Sequence, residues 1–131
     1  MRRRGSTAIE FALTLPVIFV IMAGILEYGW YLFQLSSVVH AVRDGTRIGV
    51  TVPLEEGPET IASTHARNVL DGLGVPCGTS GCTVEASLIP AGDITIMQLQ
   101  IEAPYEPVVG LLPYPSVLTA HFTMMMQEQS G

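Results

Sequence analysis

Lysine is absent from the chain, and all six of its basic residues are arginines, three of them at Arg2, Arg3 and Arg4. Beyond residue 5 only Arg43, Arg47 and Arg67 stand against twelve acidic side chains, a net of −9. Nucleic-acid binding needs clustered cations to displace counterions from phosphates, so the body of the chain offers nucleic acid no surface. Charge of either sign is scarce: 14% of the 131 residues, where a soluble domain carries about 25%. Catalytic signatures are missing too. There is no phosphate-binding glycine loop and no nucleophile motif, and the acids come one or two at a time. These residues make no catalytic set, and no cofactor is expected. His40, His65 and His121 stand singly, which argues against a zinc site. The run Met124-Met125-Met126 reads as flexible core filler rather than a copper site. Cysteine is limited to Cys77 and Cys82, which bracket Gly78-Thr79-Ser80-Gly81. That spacing suits a tight disulfide loop in an oxidising compartment; the alternative is two unrelated buried thiols.

What the chain does have is apolar length. After Glu10, residues 11–26 carry no charge, then Glu27 follows, and residues 28–39 are again uncharged. A membrane span takes about 20 mostly apolar residues, and a span over about residues 8–33 is expected. Glu10 and Glu27 are separated by about 26 Å along a helix, which would set the two carboxylates near opposite edges of the hydrocarbon layer. Tyr28, Trp30, Tyr31 and Phe33 then fall where an interfacial aromatic belt belongs. Arg2, Arg3 and Arg4 would hold the N-terminus in the cytoplasm. The expected location is a single pass through the inner (cytoplasmic) membrane, in contact with lipid, with the C-terminus outside the cytoplasm. Pro16 removes one helical hydrogen bond within the span.

Three readings compete for this N-terminus. A secretory signal peptide wants an uninterrupted apolar stretch and a small-x-small cut site after it; Glu10 interrupts the stretch, and no such site stands near residues 22–30. A plain signal anchor has no use for a carboxylate inside the membrane edge, where an ionisable side chain is by default functional. The third reading is a prepilin leader.

Arg2-Arg3-Arg4-Gly5, then Ser6, then Glu10 and a long apolar helix resemble the class III leader of type IV prepilins. The resemblance implies cleavage by a prepilin peptidase between Gly5 and Ser6, leaving residues 1–5 as the leader. It also implies that Glu10 pairs with the free N-terminal ammonium of a neighbouring subunit; the pair is far less costly in an apolar filament core than either charge alone. A narrower resemblance covers residues 5–50. The run from Gly5 to Pro16, the block Gly24-Ile25-Leu26-Glu27-Tyr28-Gly29, and Ala41-Val42-Arg43-Asp44-Gly45-Thr46-Arg47 are similar to TadE-like proteins. These are the minor pilins, or pseudopilins, of the Tad (tight adherence, Flp-type) pilus machinery. The resemblance implies a structural part, not an enzyme, with a role in pilus assembly or initiation, and hence adhesion. Its implied partners are other pilins of the same machinery, the prepilin peptidase and the inner-membrane assembly platform. A minor type is implied because major Flp-type pilins are mostly one short helix. The alternative is a membrane-anchored extracytoplasmic binding module that recruits a partner without entering a filament.

Past the span, Leu35, Val38, Val39 and Val42 recur at helical spacing, with Ser36, Ser37, His40 and Arg43 opposite. The helix, residues 6–50, is expected to leave the membrane and dock this stripe on a domain formed by residues 51–131. Asp44 could pair with Arg47 at i+3, and Gly45, Gly49 and Pro53 mark where the helix frays and stops. Pro58 and Glu59 suit the first turn of a second helix. Ile61, Ala62, His65, Ala66, Val69, Leu70 and Leu73 make its apolar stripe, with His65 a packed side chain at its edge, and Gly72 and Gly74 end it. Strands are expected over 83–89, 94–103 and 117–127. A turn at 90–93 joins the first two, and a proline- and tyrosine-rich loop at 104–115 joins the last two. In the middle strand Met97, Leu99, Ile101 and Ala103 share one face, against Gln98, Gln100 and Glu102 on the other. The fold expected is α+β: a long N-terminal transmembrane and amphipathic helix, a second helix, and a small three-stranded antiparallel sheet of type IV pilin kind.

Overall fold

The computed structural model describes residues 3–75, 77, 81–110 and 113–126, with side chains from residue 7 onward. Arg2, Gly78-Thr79-Ser80 and Gln127 lie outside the described residues; Arg3, Arg4, Gly5 and Ser6 are described in backbone alone.

Helix α1 (Arg3–Gly49) continues through Pro16 without a break. A 3₁₀ turn at Leu54–Glu56 precedes α2 (Pro58–Gly72). Three strands follow, β1 (Thr83–Ala91), β2 (Ile94–Pro104) and β3 (Val117–Met125). They form an antiparallel sheet in the order β1-β2-β3, with Leu88 opposite Met97, and Leu99 opposite Phe122. The expected α+β fold is the fold observed.

One face of the sheet packs on both helices. Met97, Leu99, Ile101 and Ala103 are all fully buried, as the alternation of β2 requires. Leu99, Ile101 and Ala103 join Val38, Ala41 and Val42 of α1 and Ala66 and Leu70 of α2 in one core cluster. Each Leu or Ile buried in this way contributes about 1.5–3 kcal/mol. Helix α2 starts with Pro58 at its first position, where the missing N–H costs nothing. It ends in a paired turn: Val75 N–H donates to the Leu70 carbonyl and Gly74 N–H to the Asp71 carbonyl. Gly74 takes the left-handed φ of 74° that this cap requires.

The structure corrects several expectations. Strand β1 runs on to Ala91, so the first turn is only Gly92-Asp93; Gly92 holds a φ of 68°, as a two-residue hairpin turn demands. The α2 stripe is narrower than its spacing suggests, because Ile61 and Leu73 are exposed. Ser37 is buried rather than on a wet face; α1 is covered by the sheet and by α2, and Ser37 satisfies its hydroxyl on the Phe33 carbonyl. Gly45 does not fray the helix. It lies buried within it, where a β-carbon would stand 2.7 Å from Leu99 Cδ2, 2.9 Å from the Ala62 carbonyl oxygen and 2.9 Å from Ala66 Cβ. Gly45 and Gly49 face Ala62, a seam of small residues that lets the two helices approach closely. Asp44 pairs not with Arg47 but with His65 of α2, 2.8 Å away, because the neighbouring helix comes nearer than the next turn of its own. Cys77 and Cys82 form a disulfide at the edge of the core. It closes a loop across a sequence separation of five.

Candidate functional site

The exposure of α1 changes abruptly along its length. From Thr7 to Leu26 the helix presents its side chains outward, including Phe11, Leu13, Phe19, Val20, Ile21 and Ile25. No described element packs against this stretch closely enough to bury any residue in it. It is a candidate membrane anchor, with a mean hydropathy of 2.4 over its most apolar 18-residue window. Glu10 is exposed within it, and the Glu10 carbonyl accepts a bond from the Thr14 hydroxyl at 2.8 Å.

Glu27 is the first buried residue among the described side chains of the helix, 3% exposed, and the loop between β2 and β3 buries it. One carboxylate oxygen accepts the Tyr105 hydroxyl at 2.9 Å. The other accepts the backbone N–H groups of Val109 at 2.7 Å and Gly110 at 3.1 Å. Gly110 has a φ of 70°, which helps two successive amides to point at one oxygen. A turn further along α1, the Trp30 indole N–H donates to the Glu106 carbonyl at 3.1 Å. Rings finish the seal: Tyr31 meets Tyr105 edge-on at 5.5 Å, and Tyr105 meets Tyr114 at 5.2 Å. Burial, the hydrogen bond to Glu27 and that carboxylate's negative charge together push the Tyr105 phenol up to about 12, so it remains a donor throughout the neutral range.

Glu27 thus differs from a carboxylate at the edge of the hydrocarbon with water for company. It is a latch, tying the base of the domain to the helix with neutral donors and no cation. Sequence reasoning singled out Glu27 with Tyr28 and Gly29 but missed Tyr105, Glu106, Val109 and Gly110. One signal was available: a buried acid needs donors, and no arginine or lysine lies near Glu27 in the sequence.

The block Arg43, Gly45, Arg47 divides in two. Gly45 is buried against α2, while Arg43 and Arg47 are exposed. The Arg43 guanidinium lies over the Phe122 ring, 5.9 Å from its centre. The structure does not bring Glu10, Glu27 and the Arg43–Arg47 segment together; they succeed one another along a single helix. Among the described residues no three His, Cys, Asp or Glu side chains gather as a metal site.

Compared with known proteins, residues 5–47 match the family described as TadE-like protein. The match covers a third of the chain and lies wholly on α1, taking in all three sequence blocks and both carboxylates. No curated protein and no solved structure matches the chain.

Proposed function

We propose that this chain is a minor pilin, or pseudopilin, of a Tad-type pilus, inserted in the inner membrane by α1 and acting in pilus assembly or initiation, hence in adhesion. The observation that carries the proposal is the TadE-like stretch, residues 5–47, lying on an unbroken helix whose first part is apolar and uncovered. Thr7 to Leu26 is 20 residues, about 30 Å of helix, the thickness of a bilayer core. We take the span to end near Leu26, short of the expected residue 33, and the latch at Glu27 supports this reading by tying the folded domain to the helix just beyond it. Arg2, Arg3 and Arg4 hold the start of the chain in the cytoplasm, and the domain stands outside, where its disulfide is stable. A prepilin peptidase cuts between Gly5 and Ser6. Glu10 then pairs with the new α-ammonium of a neighbouring pilin, and the assembly platform draws the subunit from the membrane. TadE-like pilins are structural, and the role calls for no catalytic residue.

The test is the intact mass of the membrane-derived protein from cells with and without a functional prepilin peptidase. A chain that begins at Ser6 only when the peptidase is present is the expected result. A chain uncut in both strains would sink the pilin reading and favour an anchored binding module. Glu10→Ala is expected to insert in the membrane and to fail in pilus formation; normal pili from that variant would refute the pairing role.

A further inference from the structure

The loop that latches Glu27 is unusually apolar on its outer side. Val108 is 61% exposed, Val109 42% and Tyr114 44%. The Tyr114 ring meets Tyr105, the Val108 and Val109 side chains are no part of the core cluster, and the hydrogen bonds at this level come from backbone amides and the Tyr105 hydroxyl. Their position along the helix is set by the latch. Val109 and Gly110 sit level with Glu27, one residue past the uncovered apolar stretch, whose last member, Leu26, is 63% exposed. The loop's one acid, Glu106, is exposed, and its backbone carbonyl accepts the Trp30 indole N–H, about 4.5 Å further from the apolar stretch. Apolar and aromatic side chains therefore form a collar beside α1 at one level, and the charged residue lies above it. This is the order in which side chains partition across a membrane interface, with aliphatic groups toward the acyl chains, aromatic rings at the headgroups and charge in water.

We propose that the β2–β3 loop is a second membrane contact: Val108, Val109 and Tyr114 dip into the headgroup and upper acyl region of the outer leaflet beside α1. The occupant of this surface is lipid, because these exposed apolar side chains stand where the exposed apolar stretch of α1 ends, at Leu26. The inference rests on the reading of residues 7–26 as the membrane span. The latch gives it a mechanical consequence. Two contacts rather than one fix the tilt of the domain on the bilayer, so the subunit waits in the membrane in one orientation.

The test uses the full chain in phosphatidylcholine nanodiscs. Its two cysteines are joined to each other, so a single introduced cysteine can be labelled with an environment-sensitive fluorophore. Labels are placed by Val108→Cys and Val109→Cys, with Phe19→Cys as the mid-span reference and Asp93→Cys, at the hairpin tip, as the aqueous reference. The expected result is a blue-shifted emission at 108 and 109, quenching by lipids brominated high on their acyl chains, and iodide accessibility several-fold below that at 93. Iodide accessibility at 108 and 109 equal to that at 93, with the label at 19 quenched by lipid, would overturn the collar and leave the span intact. A label at 19 open to iodide would overturn the span itself and the collar with it. Shielding at 108 and 109 that grows with protein density and is insensitive to brominated lipid would mean that a second copy covers the loop, and would overturn the proposal as well.

Discussion

Gly45 gives the sharpest test of how the domain is held to the helix. A β-carbon there would lie 2.7–2.9 Å from Leu99 Cδ2, the Ala62 carbonyl oxygen and Ala66 Cβ, whereas carbon contacts settle at about 3.5–4.0 Å. Leu99 can turn its methyl aside. The Ala62 carbonyl and the Ala66 β-carbon have no rotamer to change, so α2 itself would have to retreat by roughly 1 Å. Gly45→Ala recovers about 1 kcal/mol of helix propensity against an overpacking cost of about 1–3 kcal/mol. Gly45→Val adds two more methyl groups to the same gap and regains less propensity, so it should lose about 3 kcal/mol. For a domain of this size that lowers Tm by on the order of 15 °C. The assay is thermal unfolding of the detergent-solubilised full chain followed by near-ultraviolet circular dichroism, which reads the packed tyrosines and Trp30 rather than the helix content of α1. Gly29 is the internal control, since a β-carbon there meets nothing within 4 Å. Gly29→Ala should leave Tm unchanged or raise it, by up to about 1 kcal/mol of propensity. A Gly45→Val protein melting within a few degrees of the parent, or two substitutions with the same effect, would refute the packing argument.

Tyr105 ties stability to alkaline pH. Its folded pKa of about 12 lies above the ordinary phenol value of about 10, so the contribution is whole below pH 10 and is lost as pH rises through 12. Tyr105→Phe should be less stable at pH 7, having taken a donor from Glu27, and should show a flatter loss between pH 10 and 12; parallel urea-denaturation slopes in that window would count against the latch. Cys82→Ser opens the Cys77–Cys82 loop, and the loop-entropy relation gives a loss of about 2 kcal/mol, measurable by urea denaturation; equal midpoints with and without reductant would show that the bridge contributes nothing. Gln34 is 5% exposed, and among the described residues its amide oxygen has no hydrogen-bond partner. Gln34→Leu should therefore raise stability by about 1 kcal/mol, and a loss of stability would mean that the amide is satisfied by water in the adjoining cleft.

The architecture was legible in the sequence wherever one periodicity met one environment. Met97, Leu99, Ile101 and Ala103 alternate because β2 is the middle strand and has one covered face, and each of them is buried. Reading failed where a residue serves two neighbours or takes its partner from far along the chain. Ser37 looked wet because a one-sided stripe was assumed, whereas α1 is covered on two sides. Asp44 was matched along its own helix, but the partner, His65, lies 21 residues away. The latch lies further still: Tyr105 is 78 residues from Glu27, and the other two donors are backbone amides, which leave no trace in side-chain identity. Helix α1 does stop at Gly49, but Gly45 read as a helix breaker because propensity describes an isolated helix; against Ala62 and Ala66 its missing side chain is what permits the approach.

Two carboxylates interrupt the apolar stretch of α1, and the structure separates their work. Glu27 accepts three hydrogen bonds from its own loop, most of the roughly four lone-pair sites a carboxylate offers, and it is buried. A neighbour's ammonium could reach it only by dismantling the base of the domain. In the proposed filament the charge pairing between subunits is assigned to Glu10, the other acid of this stretch, which is exposed. The division has a geometric corollary. Because the latch and the Gly45–Ala62 seam hold α1 to the domain at two levels about 27 Å apart on the helix, the domain has no freedom to swivel about it. In the proposed filament, the rotation and rise that bring one subunit's Glu10 to another's N-terminus would then dictate where each domain stands on the surface, with no adjustable joint between the two.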